Sequence, residues 1–433
     1  MPERAFVGGG EGTDPEILWN RLEGRRILTD ARVKAVLRDV PVAAFVAPTL
    51  AAVAPLDAPL PTAMAAPSAI LPPPRLLVLL LQMLELEKGV SVLLLGSTGG
   101  YVEALLARLV EPAPVTVWEE DADLAAVAAR ALAAIGLGDR VSFVAGPPDG
   151  RFDRVTTTEQ IVRVDGKARA SLADMGFAAY RAHREDLQFV KLLRSGDEYL
   201  ELATGHEAAR RDAASGVRRP QGVDVGRELA LGRMLENACA RREETDHDRH
   251  FCQVVDETFA RPEELPPMAP AERTAYDAAR MLFRLAYVYQ SAGEWDTAIE
   301  VYEASLAVRP TAESHTFLGW VHSFQERYAE AIAECEKAIS VDPTFGNPYN
   351  DIGAYLIELG RLDEAIPWFE KAKTAKRYCC YFYPYSNLGR VYLMKGMHEK
   401  ARREFEQALR INPQYEYARE MLRRVDRGSD YIA

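Results

Sequence analysis

The sequence has few cysteines, no long apolar run and no excess of basic residues. Five cysteines occur in 433 residues without a paired framework, which favours a reducing compartment. The longest apolar run, Leu76 to Leu81, is too short to span a bilayer. The first fourteen residues contain no apolar signal core. These absences argue against a secreted disulfide scaffold and against membrane insertion, and they predict a soluble, cytoplasmic protein.

The charge balance is acidic rather than basic. The net charge is −12, and the acidic residues are spread along the chain. A nucleic-acid partner is therefore not expected, because binding to a phosphate backbone requires a basic face. The hydrophobic fraction of 48% is enough for substantial cores, and the length predicts two or three domains.

Between about residues 279 and 413 the chain repeats itself four times. Small residues recur roughly every 34 positions. Each is followed along the chain by a second small residue, and then by an aromatic residue or a cysteine. The first set is Ala286, Gly319, Gly353 and Gly389, the second is Ala298, Ala331, Ala365 and Ala401, and the third is Tyr302, Cys335, Phe369 and Phe405. Three units end on a proline, which cannot continue a helix. This order resembles the tetratricopeptide repeat, which implies two antiparallel helices per unit.

Stacked helix pairs form a superhelix whose first helices line a concave groove. We expect seven groove residues, of types that dominate interface energetics: Phe283, Tyr287, Trp320, Phe324, Asn350, Tyr383 and Arg390. The alternative for Trp320 and Phe324 is packing between adjacent repeats. Residues 414–427 are amphipathic and predict a capping helix.

The resemblance implies that the groove binds a protein or peptide segment of a partner. Some repeats of this kind clamp a terminal carboxylate with Lys and Asn in the first helices. Phe283 and Tyr287 occupy those positions of the first unit, so we expect no such clamp. We expect aromatic side chains to anchor the partner, and Asn350 and Arg390 to orient it.

The N-terminal third alternates between helical and strand-like segments. Helical spacing over residues 14–46 is followed by a helix at RLLVLLLQMLEL, a buried strand at VSVLLLG, a helix at EALLARLV and a second strand at VTVWEE. A further helix and the strands RVSFVAG and FDRVTTT complete the series. Alternating strands and helices predict a parallel sheet covered on both faces.

Residues 20–156 resemble the protein-L-isoaspartate O-methyltransferase family. The resemblance rests on DARVKAVLRDVPVAAFVAP, PLP, VLLLGSTGGYVEALLARL, the acid Glu119 and FDRV. It implies that the glycine-rich turn, here Gly96, Thr98 and Gly100, cradles S-adenosylmethionine, and that Glu119 holds its ribose hydroxyls. Glycines allow the backbone to approach a ligand, and a carboxylate accepts bonds from two vicinal hydroxyls.

Three ligand-facing segments depart from the family pattern. Leu94 and Leu95 stand where the family has an acid, and Thr98 replaces the central glycine. A branched residue there crowds a passing ligand, and it fits only if its backbone avoids positive φ. The family's Thr-Ile-Ser-Gln-Pro segment aligns with residues 70–74, which have no hydroxyl or amide side chain. The acid near the adenine is displaced to Asp149 at best.

Residues 157–265 are harder to assign. IVRVDGKARASL suggests a strand and turn, and FVKLLRSGDEYLELATG predicts a hairpin. This segment either completes the first sheet or forms a module of its own. Four residues of this segment could form a metal cluster: Cys239, His247, His250 and Cys252. Their charged surroundings favour a plain surface helix instead, and we expect no metal there.

The sequence therefore predicts a multidomain chain. Residues 14–156 form a Rossmann-like α/β domain of the methyltransferase type, residues 157–265 a mixed α/β segment, and residues 271–427 an all-α solenoid. We expect an interaction scaffold or adaptor, with a methyltransferase-like domain that keeps its fold, has lost its catalytic motifs and binds no cofactor. The alternative is an S-adenosylmethionine-dependent protein methyltransferase whose repeats recruit the substrate.

Overall fold

The computed structural model describes residues 15–62, 70–158, 164–183, 187–204, 224–242, 245–259, 267–378 and 380–426. The chain divides into two compact units. We call Met1–His250 the sheet domain and Phe251–Ala433 the repeat domain.

The sheet domain alternates helices with strands. Its helices are α1 (Pro15–Gly24), α2 (Ala31–Asp39), α3 (Pro74–Met83), α4 (Tyr101–Val110), α5 (Ala122–Ala134), α6 (Val164–Ser171) and α7 (Val225–Ala240). Its strands are β1 (Leu60–Pro61), β2 (Ile70–Leu71), β3 (Val92–Leu95), β4 (Val115–Trp118), β5 (Val141–Val144), β6 (Phe152–Thr156), β7 (Leu172–His183), β8 (Leu187–Ser195) and β9 (Glu198–Thr204). Helix α8 (Asp246–Thr258) spans the boundary between the two domains.

Seven of these strands form one sheet in the order β5-β4-β3-β6-β7-β8-β9. Neighbouring strands from β5 to β7 pair in parallel, whereas β8 and β9 are joined to them by antiparallel pairing. The predicted α/β sheet is confirmed, and the hairpin around Ser195 forms β8 and β9 within it. The three strands after residue 171 therefore belong to the sheet that the N-terminal strands begin.

The segment before β7 differs from its prediction. Residues 164–171 form the helix α6, so the expected strand and turn is wrong there. Ala168 and Leu172 are fully buried against Leu93 and Val155, while Lys167 remains exposed. Helical spacing places the apolar residues on the sheet and the charged ones in solvent, and this burial decides the conformation.

A buried ion cluster ties three segments of the sheet domain together. The fully buried Arg75, at the start of α3, donates from Nε to Asp57 over 2.7 Å and from Nη1 to Glu228 of α7 over 2.8 Å. Such a cluster adds little net stability, but removing one partner leaves uncompensated buried charge. It fixes where α7 packs.

The repeat domain is helical after α8. Its helices are α9 (Pro270–Ser291), α10 (Trp295–Val308), α11 (Ala312–Phe324), α12 (Tyr328–Val341), α13 (Asn347–Glu358), α14 (Leu362–Lys373), α15 (Phe382–Met394), α16 (His398–Ile411) and α17 (Glu416–Asp426). Helices α9 to α16 pack as four consecutive pairs, and the first helix α13 also contacts the first helices α11 and α15. The predicted solenoid is confirmed.

The small residues of the repeats lie where the two helices of a pair cross. A Cβ on Gly353 would lie 2.6 Å from the ring of Phe369, and one on Gly389 would lie 2.7 Å from the ring of Phe405. The repeat pattern is therefore a packing pattern, in which each small residue admits a large one from the opposite helix. Helix α17 covers the last pair with Ala418 and Val425.

Within the part of the chain that the structure describes, no helix has both the length and the apolar character needed to cross a bilayer.

Candidate functional site

The glycine-rich turn joins β3 to α4 and comprises residues 96–100. Gly96, Gly99 and Gly100 have φ values of 79°, 86° and 111°, which are costly for any other residue. Thr98 is not among the described residues with positive φ, which is the condition under which a branched residue fits there. Its side chain is buried within the turn.

A carboxylate from the first turn of α4 occupies the inside of this turn. Glu103 is fully buried and accepts hydrogen bonds from Thr98 N over 3.1 Å, from Gly100 N over 3.2 Å and from the hydroxyls of Ser97 and Thr98. Burial raises the pKa of Glu103, and the hydrogen bonds from Ser97 and Thr98 lower it in part. The turn thus wraps around an acid of its own chain.

Glu119 lies directly after β4, at the carboxyl edge of the sheet. It is half-buried and accepts Ser97 N on one oxygen and Asp121 N on the other, each over 2.7 Å. The structure therefore brings Glu119 next to the turn, as the family resemblance implies. Each oxygen retains a lone pair for a further donor.

Every backbone N–H of the turn has a partner inside the protein. Gly96 N donates to Trp118 O, Ser97 N to Glu119, Thr98 N and Gly100 N to Glu103, and Gly99 N to Ser97 Oγ. A ligand can take hydrogen bonds from these groups only if one of the acids or the Ser97 hydroxyl moves. The turn is a saturated anion site rather than an open one.

The space outside the glycines is also filled. A Cβ on Gly99 would lie 2.5 Å from Thr62 Cγ2, and a Cβ on Gly100 would lie 3.0 Å from the Phe45 ring. These glycines therefore serve close packing against the preceding loop. Nearby, Lys167 of α6 stacks 4.4 Å from the centre of the Trp118 ring and pairs with Glu120 over 3.1 Å.

In the repeat domain, the outward-facing residues of the first helices form one surface, which we call the groove. It includes half-buried or exposed residues at helical spacing on each helix. They are Arg280, Tyr287 and Ser291 on α9, Trp320, Ser323 and Phe324 on α11, Asn347, Asp351, Ala354 and Glu358 on α13, and Tyr383, Asn387, Arg390 and Met394 on α15.

The prediction that Phe283 lines the groove is wrong. Its ring is fully buried and packs edge-to-face against Phe259, Tyr302 and Phe317, with centroids 4.8 to 5.5 Å away. Phe283 lies four residues before Tyr287 on α9, and at this position the side chain faces the core rather than the groove. Tyr287 is half-buried against Phe317.

Phe324 combines both alternatives considered for it, whereas the ring contacts of Trp320 are with Phe317 and Phe324 of its own helix. Phe324 stacks on Trp295 of the preceding repeat with a centroid distance of 5.0 Å, so it does pack between repeats. Yet Trp320 and Phe324 contact each other and remain 38% and 49% exposed. Together with Tyr383, which is 40% exposed, they are large apolar surfaces open to solvent in the groove.

The polar groove residues are linked across helices. Asn387 Nδ2 donates to Asn350 Oδ1 over 3.0 Å, and Asn350 Nδ2 donates to Asp351 over 3.2 Å. Asn350 is only 8% exposed, so the structure places it beneath the groove surface, where it contacts the groove residues Asp351 and Asn387. Arg390 is half-exposed and pairs with Glu358 over 2.9 Å.

Sequence reasoning missed Glu103, Asp351 and Asn387. Glu103 carried a usable signal, because an acid three residues after a helix N-cap is the second half of a capping box. Asp351 and Asn387 lie at groove positions of α13 and α15, but only the packed repeats show which face they share. The described residues contain no group of three or more His, Cys, Asp and Glu arranged to hold a metal, and the side chains of His247 and Cys252 lie outside them.

Comparison with protein families matches both domains. A tetratricopeptide repeat model matches residues 277–344 and 345–414, and a model of protein-L-isoaspartate(D-aspartate) O-methyltransferase matches residues 14–154. The protein-L-isoaspartate O-methyltransferase of Thermococcus onnurineus is 30% identical over 152 residues, which are 33% of this chain and 67% of the relative. That of Thermococcus sibiricus is 28% identical over 186 residues, covering 40% of this chain and 82% of the relative.

Solved structures are similar to each part. A protein-L-isoaspartate O-methyltransferase from Plasmodium falciparum in complex with S-adenosyl-L-homocysteine has a TM-score of 0.39 and 14% identity, over 44% of this chain and 94% of its own. The pilF protein of Pseudomonas aeruginosa has a TM-score of 0.34 and 24% identity, over 36% and 69%.

Proposed function

This chain belongs to the protein-L-isoaspartate O-methyltransferase family and also carries tetratricopeptide repeats, and from this premise we propose that it is an interaction adaptor. Its groove binds a segment of a partner protein, and its methyltransferase-like domain does not bind S-adenosylmethionine. The saturated turn is the observation that carries the second part of this proposal, and the open aromatic surface of the groove supports the first.

The groove offers what interface energetics require. Three large aromatic side chains lie partly exposed on the first helices that flank α13: Trp320 and Phe324 on α11 and Tyr383 on α15. Arg390 also lies on α15 and pairs with Glu358 of α13. Aromatic and arginine side chains dominate binding energy because they bury much surface with few rotatable bonds. A segment lying along the first helices would cover all of them.

Replacing both Trp320 and Arg390 with alanine should abolish capture of the partner by the full-length chain. The reason is that the double variant removes a large, partly exposed aromatic side chain and a basic side chain of the groove. The measurement is quantitative mass spectrometry of proteins retained from the native cell extract. Leu359→Ala with Arg361→Ala is the matched control, because these exposed residues lie in the turn between α13 and α14. Equal retention by both double variants would remove the groove from the proposal.

The glycine-rich turn of the sheet domain supports this function, because its backbone N–H groups are not available to a cofactor. All five backbone N–H groups of residues 96–100 donate within the protein, and Thr62 and Phe45 fill the space outside Gly99 and Gly100. A cofactor would have to displace Glu103, which is the costliest group to move because four donors converge on it.

One observation favours the enzyme alternative, in which the repeats recruit a substrate for methylation. Glu119 stands next to the turn with a free lone pair on each oxygen, as a ribose-binding acid would. Calorimetry with S-adenosylmethionine and S-adenosylhomocysteine separates the two functions. We expect no heat of binding from the native chain.

The same titration on two variants makes the result decisive. Thr98→Gly restores the central glycine and should change binding only if the turn contacts a cofactor. Glu119→Ala should likewise leave the titration unchanged, because the native chain is expected to bind neither ligand. Micromolar binding by the native chain that Glu119→Ala abolishes would establish the methyltransferase instead, and the search would turn to a methylated substrate.

A further inference from the structure

One groove carboxylate, that of Asp351, has no basic partner within the described part of the chain. Asp351 is half-buried on α13, between the buried residues Asn350 and Ile352, and faces the groove in line with Asn347 and Glu358. Its only hydrogen-bond donor among the described residues is the Asn350 amide, at 3.2 Å. An amide is a weak substitute for a positive charge when a carboxylate is removed from water.

The basic groups on the helices around Asp351 are engaged elsewhere. On α15, Arg390 pairs with Glu358 over 2.9 Å. On α11, His315 pairs with Glu334 of α12 over 2.7 Å, and Lys337 also binds Glu334. The other titratable neighbours, Cys335 on α12 and Tyr355 on α13, are neutral and buried. No Lys, Arg or His of the described chain lies within ion-pair distance of Asp351.

The uncompensated burial destabilises the repeat domain at neutral pH. Desolvation raises the pKa of Asp351 from 3.8 to about 7. Because the folded-state pKa lies above the unfolded one, the stability associated with this group is greatest below pH 3.8 and is lost as the pH rises to about 7. A group retained at such a cost in a groove is typical of a binding position.

We propose that Asp351 binds a lysine or arginine side chain of the partner segment. This inference rests on the groove binding proposed above and specifies the chemistry of its occupant. The cation would complete an ion pair that none of the described residues supplies. A partner that enters with an acidic group at this point would instead meet both Asp351 and Glu358.

The groove around Asp351 suits the rest of such a side chain. Trp320 and Phe324 on α11 and Tyr383 on α15 lie on the two helices that flank α13, and each is partly exposed. Aromatic faces attract cations and cover the aliphatic stems of lysine and arginine. The inferred partner is therefore a basic segment with apolar neighbours.

The test uses three libraries of acetylated and amidated octapeptides with random flanking positions and a central residue fixed as lysine, norleucine or glutamate. Immobilised full-length protein should retain the lysine library about tenfold more than either of the others at pH 8. Norleucine has a similar stem without the charge, so it isolates the contribution of the cation. At pH 5.5, where Asp351 is protonated, the preference should fall to about onefold to twofold.

Asp351→Asn should remove the lysine preference at pH 8 and leave retention of the norleucine library unchanged. This variant should unfold at a higher temperature than the native chain at pH 8, because it removes the charge that burial disfavours, and a folding defect therefore cannot mimic the result. Asp363→Asn is the control, since it removes an exposed carboxylate that pairs with Lys395.

The two levels of proposal fail differently. Equal retention of all three libraries, lost in the Trp320 and Arg390 double variant, would overturn the cation inference and leave the groove function intact. Retention that neither the double variant nor Asp351→Asn alters would overturn both. A preference for the glutamate library would reverse the sign of the inferred partner.

Discussion

Replacing Arg377 with alanine is expected to lower the free energy of unfolding of the repeat domain by about 3–5 kcal/mol, because it leaves a buried carboxylate without its partner. Arg377 lies between α14 and α15 and donates to Glu313 over 2.8 Å, to Asp342 over 2.7 Å and to the Thr258 carbonyl over 2.7 Å. Its guanidinium also stacks 4.1 Å from the centre of the Phe345 ring. One side chain thus connects α8, α11 and the junction between the second and third repeats.

The loss should depend on pH. Glu313 is 5% exposed, burial raises its pKa, and Arg377 opposes that rise. Without Arg377 the pKa of Glu313 in the folded chain should rise further above its unfolded value. The destabilisation should therefore be largest at pH 8 and should diminish as the pH falls below 4.5, where Glu313 becomes protonated in the unfolded state as well.

Hydrogen exchange of repeat-domain amides in the full-length chain measures this effect without interference from the sheet domain. Arg361→Ala is the control, since its pair with Glu364 is exposed to solvent and should contribute little to stability. Adding Glu313→Gln to Arg377→Ala should recover part of the loss. If Arg377→Ala matched the control at pH 8, the buried pair would not be holding the repeats together.

Replacing Glu103 with alanine is expected to destabilise the sheet domain by about 2–4 kcal/mol, since four buried donors would lose their acceptor. Added formate should restore part of the stability, because its carboxylate can occupy the vacated centre of the turn. Chloride at the same ionic strength serves as the reference for non-specific salt effects.

Urea unfolding followed by hydrogen exchange of α4 and β3 amides measures both effects. Arg108→Ala changes an exposed residue of the same helix and should be nearly neutral. Full stability of the Glu103→Ala chain without formate would show that the turn does not depend on its internal acid. The support for the saturated turn under the proposed function would then be withdrawn.

Local sequence pattern predicted most helices and strands but not the helix α6. The alternation of buried strands and amphipathic helices in residues 75–156, and the small residues of the repeats, depend on spacing along the chain. Residues 164–171 contain Gly166 and only short apolar side chains, so their local preference is weak. Burial of Ala168 against the sheet, which no local window contains, decides their structure.

The same division applies to the candidate sites. The family resemblance placed Glu119 beside the turn. The spacing of the repeats placed four groove residues on first helices: Trp320, Phe324, Tyr383 and Arg390. It misplaced Phe283, because the first helix also packs against Phe259, outside the repeat pattern.

The sequence by itself determined that this chain joins a methyltransferase-like sheet to a helical solenoid, since periodicity and packing volume are properties of neighbouring residues. Only the tertiary structure decided that Glu103 saturates the turn, that Arg377 links separate repeats and that Asp351 lies in the groove without a basic partner among the described residues. These are electrostatic facts, and their magnitude depends on burial and on partners that are distant in sequence. For that reason the chemistry of the groove became visible only after the repeats were packed.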